Sequence, residues 1–303
     1  MLIQRCFGMN TKDLEYYHAL VTEKNFSQVA EKFGVTQPTI TNAIKRLEKE
    51  FQTNFFLRDQ SHHNLTVTNN GWQFDQHVST ILSELEIAHK DIANAKEEQI
   101  LFGLPPIIGN YFFPPLTPAL MNYQLMDRLE VFEHGSAQLL KMLRHGDIDI
   151  ALLGSLIPLN YPRLISRTIQ HYPINIIVSK KHHLAKFAQR GIHFRELANE
   201  KFINFDEGFV HNQAFRMMCR INHIRPRTIY KTNDVHVLKS MVAENIGISY
   251  LTSLAILPSN GLVQIPLLDP EKPEFQISCV RRSTATLTPY KFALWDQLTK
   301  PRK

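Results

Sequence analysis

The residues of this chain whose types and spacing suit chemistry are mostly hydrogen-bonding groups rather than nucleophiles. Gln37, Pro38, Thr39, Thr41 and Asn42 lead into Lys45, Arg46 and Lys49 within QPTITNAIKRLEK. Short donors followed by cations suit contacts to base edges and phosphates. Ser27 and Gln28, just upstream, and Arg58, just downstream, have the same character. Catalytic signatures are missing: there is no GxSxG, P-loop, HExxH or CxxC, and GLPPIIG is not a dinucleotide fingerprint. An enzyme is therefore not expected, and neither is a cofactor. The fourteen histidines show no metal-ligand spacing; the pair His62 and His63 reads as part of a solvated loop. Three widely spaced cysteines, Cys6, Cys219 and Cys279, argue against a disulfide framework. A redox sensor would want a partner close to Cys219, so buried structural thiols are the expectation.

The elements that position the polar run read as helices. Leu14, Tyr17 and Val21 share one face of a first helix. A short second helix starts at Phe26 and Ser27, with Ser27 as its expected N-cap and Gly34 just past its end. Thr36 caps a third helix, with Pro38 tolerated in its first turn. Ile40, Ala43, Ile44, Leu47 and Phe51 form an apolar stripe, which leaves the polar run on the opposite face. A solvated amphipathic helix would show the same polar face, so the neighbourhood decides. Helix, tight turn and helix make a helix-turn-helix, and two short strands follow, Phe55–Arg58 and Leu65–Thr68. Together these predict a winged helix-turn-helix over residues 9–70, with Lys45, Arg46 and Arg58 on the phosphate backbone of double-stranded DNA.

From Gly71 to about Glu98 a long linker helix (residues 71–99) is predicted. Phe74, Val78, Ile81, Leu85, Ala88 and Ile92 alternate at spacings of four and three, the seam of a coiled-coil dimer. Past Ile100 the pattern changes to short β-branched runs alternating with helices, which predicts an α/β domain over 100–303 with largely parallel sheets. Strands are expected at Ile100–Leu104, Leu129–Glu133, Ile148–Leu153, Ile174–Ser179, Phe202–Phe205, Thr228–Thr232, Ile248–Leu251, Leu262–Ile265 and Phe275–Arg281. The helices between them are Ala137–Arg144, Gln213–Ile221, Val235–Glu244 and Tyr290–Thr299.

Composition bounds these readings. The chain has 303 residues, 44% apolar and 20% charged, ordinary for a globular protein of more than one domain. Its formal charge is +6, but residues 1–100 hold ten Lys and Arg against thirteen Asp and Glu. A DNA argument must therefore rest on local geometry rather than net charge. Ile100–Leu116, the most apolar run, is broken by four prolines, so neither a membrane span nor a signal peptide is expected and the location is read as cytoplasmic.

In sum, these residues resemble LysR-type transcriptional regulators over nearly the whole length from Met9. The likeness is carried by Leu14, Phe26, Ser27, Ala30 and Phe33, then TQPTIT, Ile44, Leu47, Glu48, Phe56, Arg58, Val67, Thr68 and Gly71. LLKMLRHGDIDIALL (Leu139–Leu153) and VAENIGISYL (Val242–Leu251) match the second domain. Asn25 and Gln52 stand where the family usually has glycine. A family start falls a few residues before the first helix, which favours Met9 over Met1. The resemblance implies a homodimer or homotetramer on promoter DNA, RNA polymerase as a further partner, and a two-lobed effector domain of the periplasmic-binding-protein type. Lobe I would be 101–170 with 268–303, and lobe II 171–267. A small-molecule effector would lie between the lobes, near Pro105, Pro106, His134, Ser136, Asn204, Phe205, Thr232 and Asn233. Prolines 105 and 106 replace the hydroxyl residues common there and remove a donor. FGLPPIIGNYFFP further resembles the branch that regulates malolactic fermentation, which implies L-malate or another small carboxylate. The alternatives are a redox- or other-ligand-responsive regulator of the same fold, and a solute-binding protein. The N-terminal module opposes the second.

Overall fold

The computed structural model describes residues 10–58, 65–94, 98–257 and 261–300. Two compact units divide the chain, 1–90 and 91–303.

In the first unit α1 (Thr11–Glu23) opens on a reciprocal cap. Asn10 Oδ1 accepts the Asp13 N–H at 2.9 Å, and Asp13 Oδ2 accepts the Asn10 N–H at 3.3 Å. The cap of α2 (Phe26–Lys32) is Asn25, not Ser27 as the sequence had suggested. Asn25 is extended, and its Oδ1 accepts the N–H groups of Ser27 and Gln28, while Ser27 is already helical. Gly34 turns the chain at φ +64°. Helix α3 (Gln37–Phe51) follows, with Ile40, Ala43, Ile44 and Leu47 buried at helical spacing. Phe51, expected in that stripe, stays exposed at the helix end, although its ring meets Phe55 and Phe74.

Strands β1 (Phe56–Arg58) and β2 (Leu65–Val67) form the antiparallel wing. Its tip, with His62 and His63, lies outside the described residues. Glu48 of α3 accepts the Phe55 N–H at 2.9 Å, fixing where the wing begins. Helix α4 (Asn69–Asn94) starts two residues earlier than expected, and Glu98 is not helical. Gly71 permits its entry: a Cβ there would lie 2.5 Å from Phe55 O and 2.7 Å from Val67 Cγ1. Two of the expected seam residues, Phe74 and Val78, are spent on this unit's own core. Phe74 stacks on Phe55 at 4.6 Å. Ile81, Leu85, Ala88 and Ile92 remain exposed on the rest of the helix.

The second unit runs β3 (Ile100–Gly103), α5 (Pro106–Tyr111), α6 (Thr117–Asn122), β4 (Leu129–Phe132), α7 (Ser136–Arg144), β5 (Ile150–Ser155) and β6 (Leu164–Ser179). It continues with β7 (Lys201–Phe205), α8 (Val210–Ile221), β8 (Arg227–Thr232), α9 (Val235–Ala243), β9 (Ser249–Thr252), β10 (Leu262–Ile265), β11 (Glu274–Arg282) and α10 (Pro289–Thr299). The main sheet has the order β10-β6-β11-β5-β3-β4, with β9 also paired to β6. It is mixed rather than largely parallel. Strand β3 runs parallel to β4 and β5, but β6, β9, β10 and β11 pair antiparallel.

Strand β6 is the spine. It pairs with β11 through Pro173 and with β9 from Ile174, so one continuous strand passes from the first lobe into the second. β5 is buried along its whole length, as a strand covered on both faces must be. The HGDIDI segment explains itself here. Lys291 Nζ donates to Asp149 Oδ1 at 2.7 Å, and Asp149 Oδ2 accepts the Leu101 N–H at 3.0 Å, joining α10 to the sheet through a buried ion pair.

Candidate functional sites: a nucleic-acid interface and an interlobe cleft

The first site is the outer face of α3. Gln37, Pro38, Thr39, Asn42, Lys45 and Lys49 are exposed and Thr41 is half-buried, with Ser27 and Gln28 exposed on the neighbouring α2. No side chain caps α3. Thr36 Oγ1 instead meets Thr39 Oγ1 at 2.9 Å, and since Pro38 has no N–H and the Thr39 N–H donates to Thr36 O, the exposed first turn offers mainly side-chain donors. The positive end of the helix dipole at this exposed start favours an anion such as a phosphate. Arg58 lies on β1 of the wing.

Arg46 differs from its neighbours. Its Nε and Nη2 donate to both oxygens of Asp13, at 3.0 and 2.5 Å, and Asp13 is only 1% exposed. A bidentate pair of this kind fixes α1 against α3. Arg46 was expected on the DNA backbone; the structure commits two of its donors to the scaffold. The pairing spans thirty-three residues, so no local pattern announces it.

The second site is the cleft of the second unit. From the first lobe come Pro105, Pro106, Ile107 and Ile108, with Gly135 and Ser136 at the start of α7. From the second lobe come Gly208, Phe209, Val210 and His211 at the start of α8, and Phe275 of β11 completes the lining. The space is about 20 Å³, room for one or two waters at roughly 10–15 Å³ each. The two loops nearly touch, since a Cβ on Gly135 would lie 3.6 Å from Gly208 O. The lobes therefore stand almost closed.

Two helices point their first turns at this space, and neither carries a side-chain cap. Ser136 Oγ accepts the Gly154 N–H at 2.9 Å, which leaves its own hydrogen to give. Gly154 also makes room for Phe275, because a Cβ there would lie 2.7 Å from the ring. His211 is buried; its ring stacks on Phe275 at 5.1 Å and lies 5.3 Å from Phe205. Burial alone pushes its pKa down to about 3, and its Nε2 has no hydrogen-bond partner.

Of the residues expected around an effector, Pro105, Pro106 and Ser136 line the cleft; the others do not. Asn204 Nδ2 is spent on Thr228 Oγ1 at 2.9 Å, and Thr232 Oγ1 accepts the Asp234 N–H. Asn233 is exposed. Phe205 is buried and stacks on Phe209 at 4.9 Å. His134 sits beside Gly135, outside the lining. α5 has six residues and starts on two prolines, so it offers few donors. The sequence reading missed His211. Its position in the first turn of an amphipathic helix, next to Gly208 and Phe209, was the available signal.

The described thiols do not suit redox chemistry. Burial pushes Cys219 up to about 11 and raises Cys279 further, so neither is a thiolate near neutrality. No helix among the described residues is long and apolar enough to cross a membrane.

A winged helix-turn-helix followed by a two-lobed unit with a closing cleft defines a class of ligand-responsive DNA-binding regulators. Family comparison agrees. Residues 11–72 match the bacterial regulatory helix-turn-helix of the lysR family, and residues 93–301 match the LysR substrate binding domain. The chain belongs to the LysR family of transcriptional regulators and carries that family's effector-binding domain. It is 32% identical over 282 residues to a malolactic fermentation system transcriptional activator of Lactococcus lactis, covering 93% of this chain and 95% of the relative. It is 27% identical to the DNA-binding transcriptional dual regulator OxyR of Escherichia coli, over 92% and 91% of the two chains. Full-length BenM shares the fold with a TM-score of 0.55 at 22% identity, over 96% and 95% of the chains. The effector binding domain of QuiR in complex with shikimate does so with a TM-score of 0.58 at 17% identity, over 66% of this chain and 95% of that domain.

Proposed function

We propose that the protein binds promoter DNA through α3 and its wing, and that a small carboxylate in the interlobe cleft regulates it. The observation that carries the cleft half is the convergence of two uncapped helix starts, α7 and α8, on one small space. Such helix starts favour an anion. L-malate is the first compound to test, because the relative at 32% identity acts in malolactic fermentation.

The exposed seam Ile81, Leu85, Ala88 and Ile92 supports self-association along α4. A dimer would place two copies of α3 on paired half-sites. RNA polymerase is the further partner in this reading.

The test has two arms on one preparation. Selection from random duplexes should enrich a motif with two-fold symmetry; no enrichment would overturn the DNA half. Thermal unfolding with L-malate, succinate, L-lactate, butyrate and shikimate tests the other half. A bound ligand at about 100 times its Kd stabilises by roughly 2.7 kcal/mol, so the midpoint should rise by a few degrees. A flat response across the panel would remove the carboxylate.

A further inference from the structure

Within the cleft one group is unlike the rest. His211 is 3% exposed, lines the space between the lobes, and carries a ring nitrogen without a hydrogen-bond partner. Unpaired buried polar atoms are uncommon because each forfeits its hydration. The elements packed on the imidazole present aromatic rings: Phe205 from β7 and Phe275 from β11. No charged group shifts its titration, and burial is the only cause of its lowered pKa. The ring is therefore neutral near pH 7, with one nitrogen free to donate and the other to accept. Among the described residues no Lys or Arg lines the cleft.

We propose that His211 is the residue that docks the effector's carboxylate: Nε2–H donates to one oxygen, and the Ser136 hydroxyl and the first N–H groups of α7 and α8 hold the rest of the head group. The body of the ligand then lies against Pro105, Ile107, Ile108 and Phe275. This rests on the carboxylate reading above and adds the residue that selects the head group. Selection works through absence. A ligand without an acceptor at that point leaves Nε2 buried and unpaired, and so binds worse. Because the walls beyond the head group are apolar, a ligand with one carboxylate and a compact apolar body fits better than one with a second charge. The nearly closed cleft must part to admit it.

The test uses the full chain and whichever of L-malate, succinate, L-lactate, butyrate and shikimate most raises the wild-type unfolding midpoint. A hydrogen bond to a charged group is worth about 10- to 100-fold in affinity. His211→Phe should lose that much by calorimetric titration, while its unliganded midpoint stays at or above wild type. His211→Gln, whose amide nitrogen reaches toward the Nε2 position, should recover part of the affinity. In wild-type protein the His211 ring resonances in an imidazole 1H–15N spectrum should move when the ligand is added. Equal affinity of His211→Phe and wild type, or an unmoved resonance, overturns the assignment while leaving the carboxylate reading intact. A midpoint that collapses in both variants with the resonance unmoved makes His211 structural. If no panel member shifts wild type, the carboxylate reading and this assignment fall together.

Discussion

Two helix starts in this molecule, to which the proposed function gives similar work, lie in opposite settings. α3 and α8 both begin without a side-chain cap. At α3 the first turn is exposed, and the polar residues around it are short and in water. At α8 the first turn is largely buried, and a polar atom of the cleft lining, His211 Nε2, has no partner. The difference follows from the size of what each would bind. A duplex brings a large polyanion to an open surface, where exposed donors cost nothing while they wait. A small effector must be desolvated, so its recognising group has to be buried in advance and left unsatisfied, which costs stability. On the open surface one cation, the half-exposed Arg46, is held in an ion pair with the buried Asp13. The cleft unit keeps its buried pair, Lys291 with Asp149, away from the cleft lining.

The largest expected effect tests whether the two units are energetically separate. Lys291→Ala would leave Asp149 buried with one remaining donor, the Leu101 N–H, at a cost of about 3–5 kcal/mol. The chain has two tryptophans, Trp72 in the first unit and Trp295 beside Lys291 on α10. Denaturant unfolding of single-tryptophan variants reads each unit alone. The Trp295 transition should move to lower denaturant and the Trp72 transition should hold. A common shift of both would show that the units unfold together and would break the comparison.

A smaller effect isolates the waiting group. His211 titrates at about 3 when folded, against an ordinary value of 6.5. Between those values the unfolded chain binds the proton and the folded chain does not, so stability rises with pH across that window and falls on acidification. The slope from this one group is at most about 1.4 kcal/mol per pH unit. From pH 6.5 to pH 5 wild type should therefore lose up to about 2 kcal/mol that His211→Phe keeps. Parallel stability curves for the two proteins over that range would show that His211 protonates freely when folded, and that it is not held dry.

These contrasts also mark what could be read in the sequence. The recognition helix was legible because its apolar stripe, Ile40, Ala43, Ile44 and Leu47, repeats at helical spacing, and all four are buried. Most strands of the second unit were legible because buried strands are runs of β-branched residues. The first half of β6 was not: LISRTIQHYP is mixed in character, because much of it is half-buried or exposed. The parallel sheet was over-read because alternation of strand and helix does not reveal that β6 and β11 pair antiparallel. The cleft was only partly legible. Ser136 is visible as a hydroxyl at a helix start, but Asn204 and Thr232 look the same and are spent on local hydrogen bonds. The Arg46–Asp13 pair depends on what long-range packing brings near and has no local signature, and His211 has only the weak one of its place in the first turn of an amphipathic helix.

The finest contrast lies between two neighbours on α3. Lys45 and Arg46 are adjacent cations on the exposed side, and sequence pattern alone predicts a phosphate role for both. The structure separates them, since Arg46 holds Asp13 through two donors. Arg46→Ala should cost the first unit about 1–2 kcal/mol of stability, a buried-carboxylate penalty reduced because the guanidinium is half exposed. Arg46→Lys should restore only part of it, because an ammonium cannot span both oxygens. Lys45→Ala should leave stability within about 0.5 kcal/mol of wild type. It should weaken binding to all duplexes alike and lower the salt slope by about one unit, the loss of one phosphate contact. Measuring Kd against salt for both variants at a temperature where both are folded separates the roles. If Arg46→Ala reproduced the Lys45→Ala slope change with no loss of stability, Arg46 would belong to the open surface after all. The division between a scaffold cation and a recognition cation would then be wrong at the point where it is drawn most sharply.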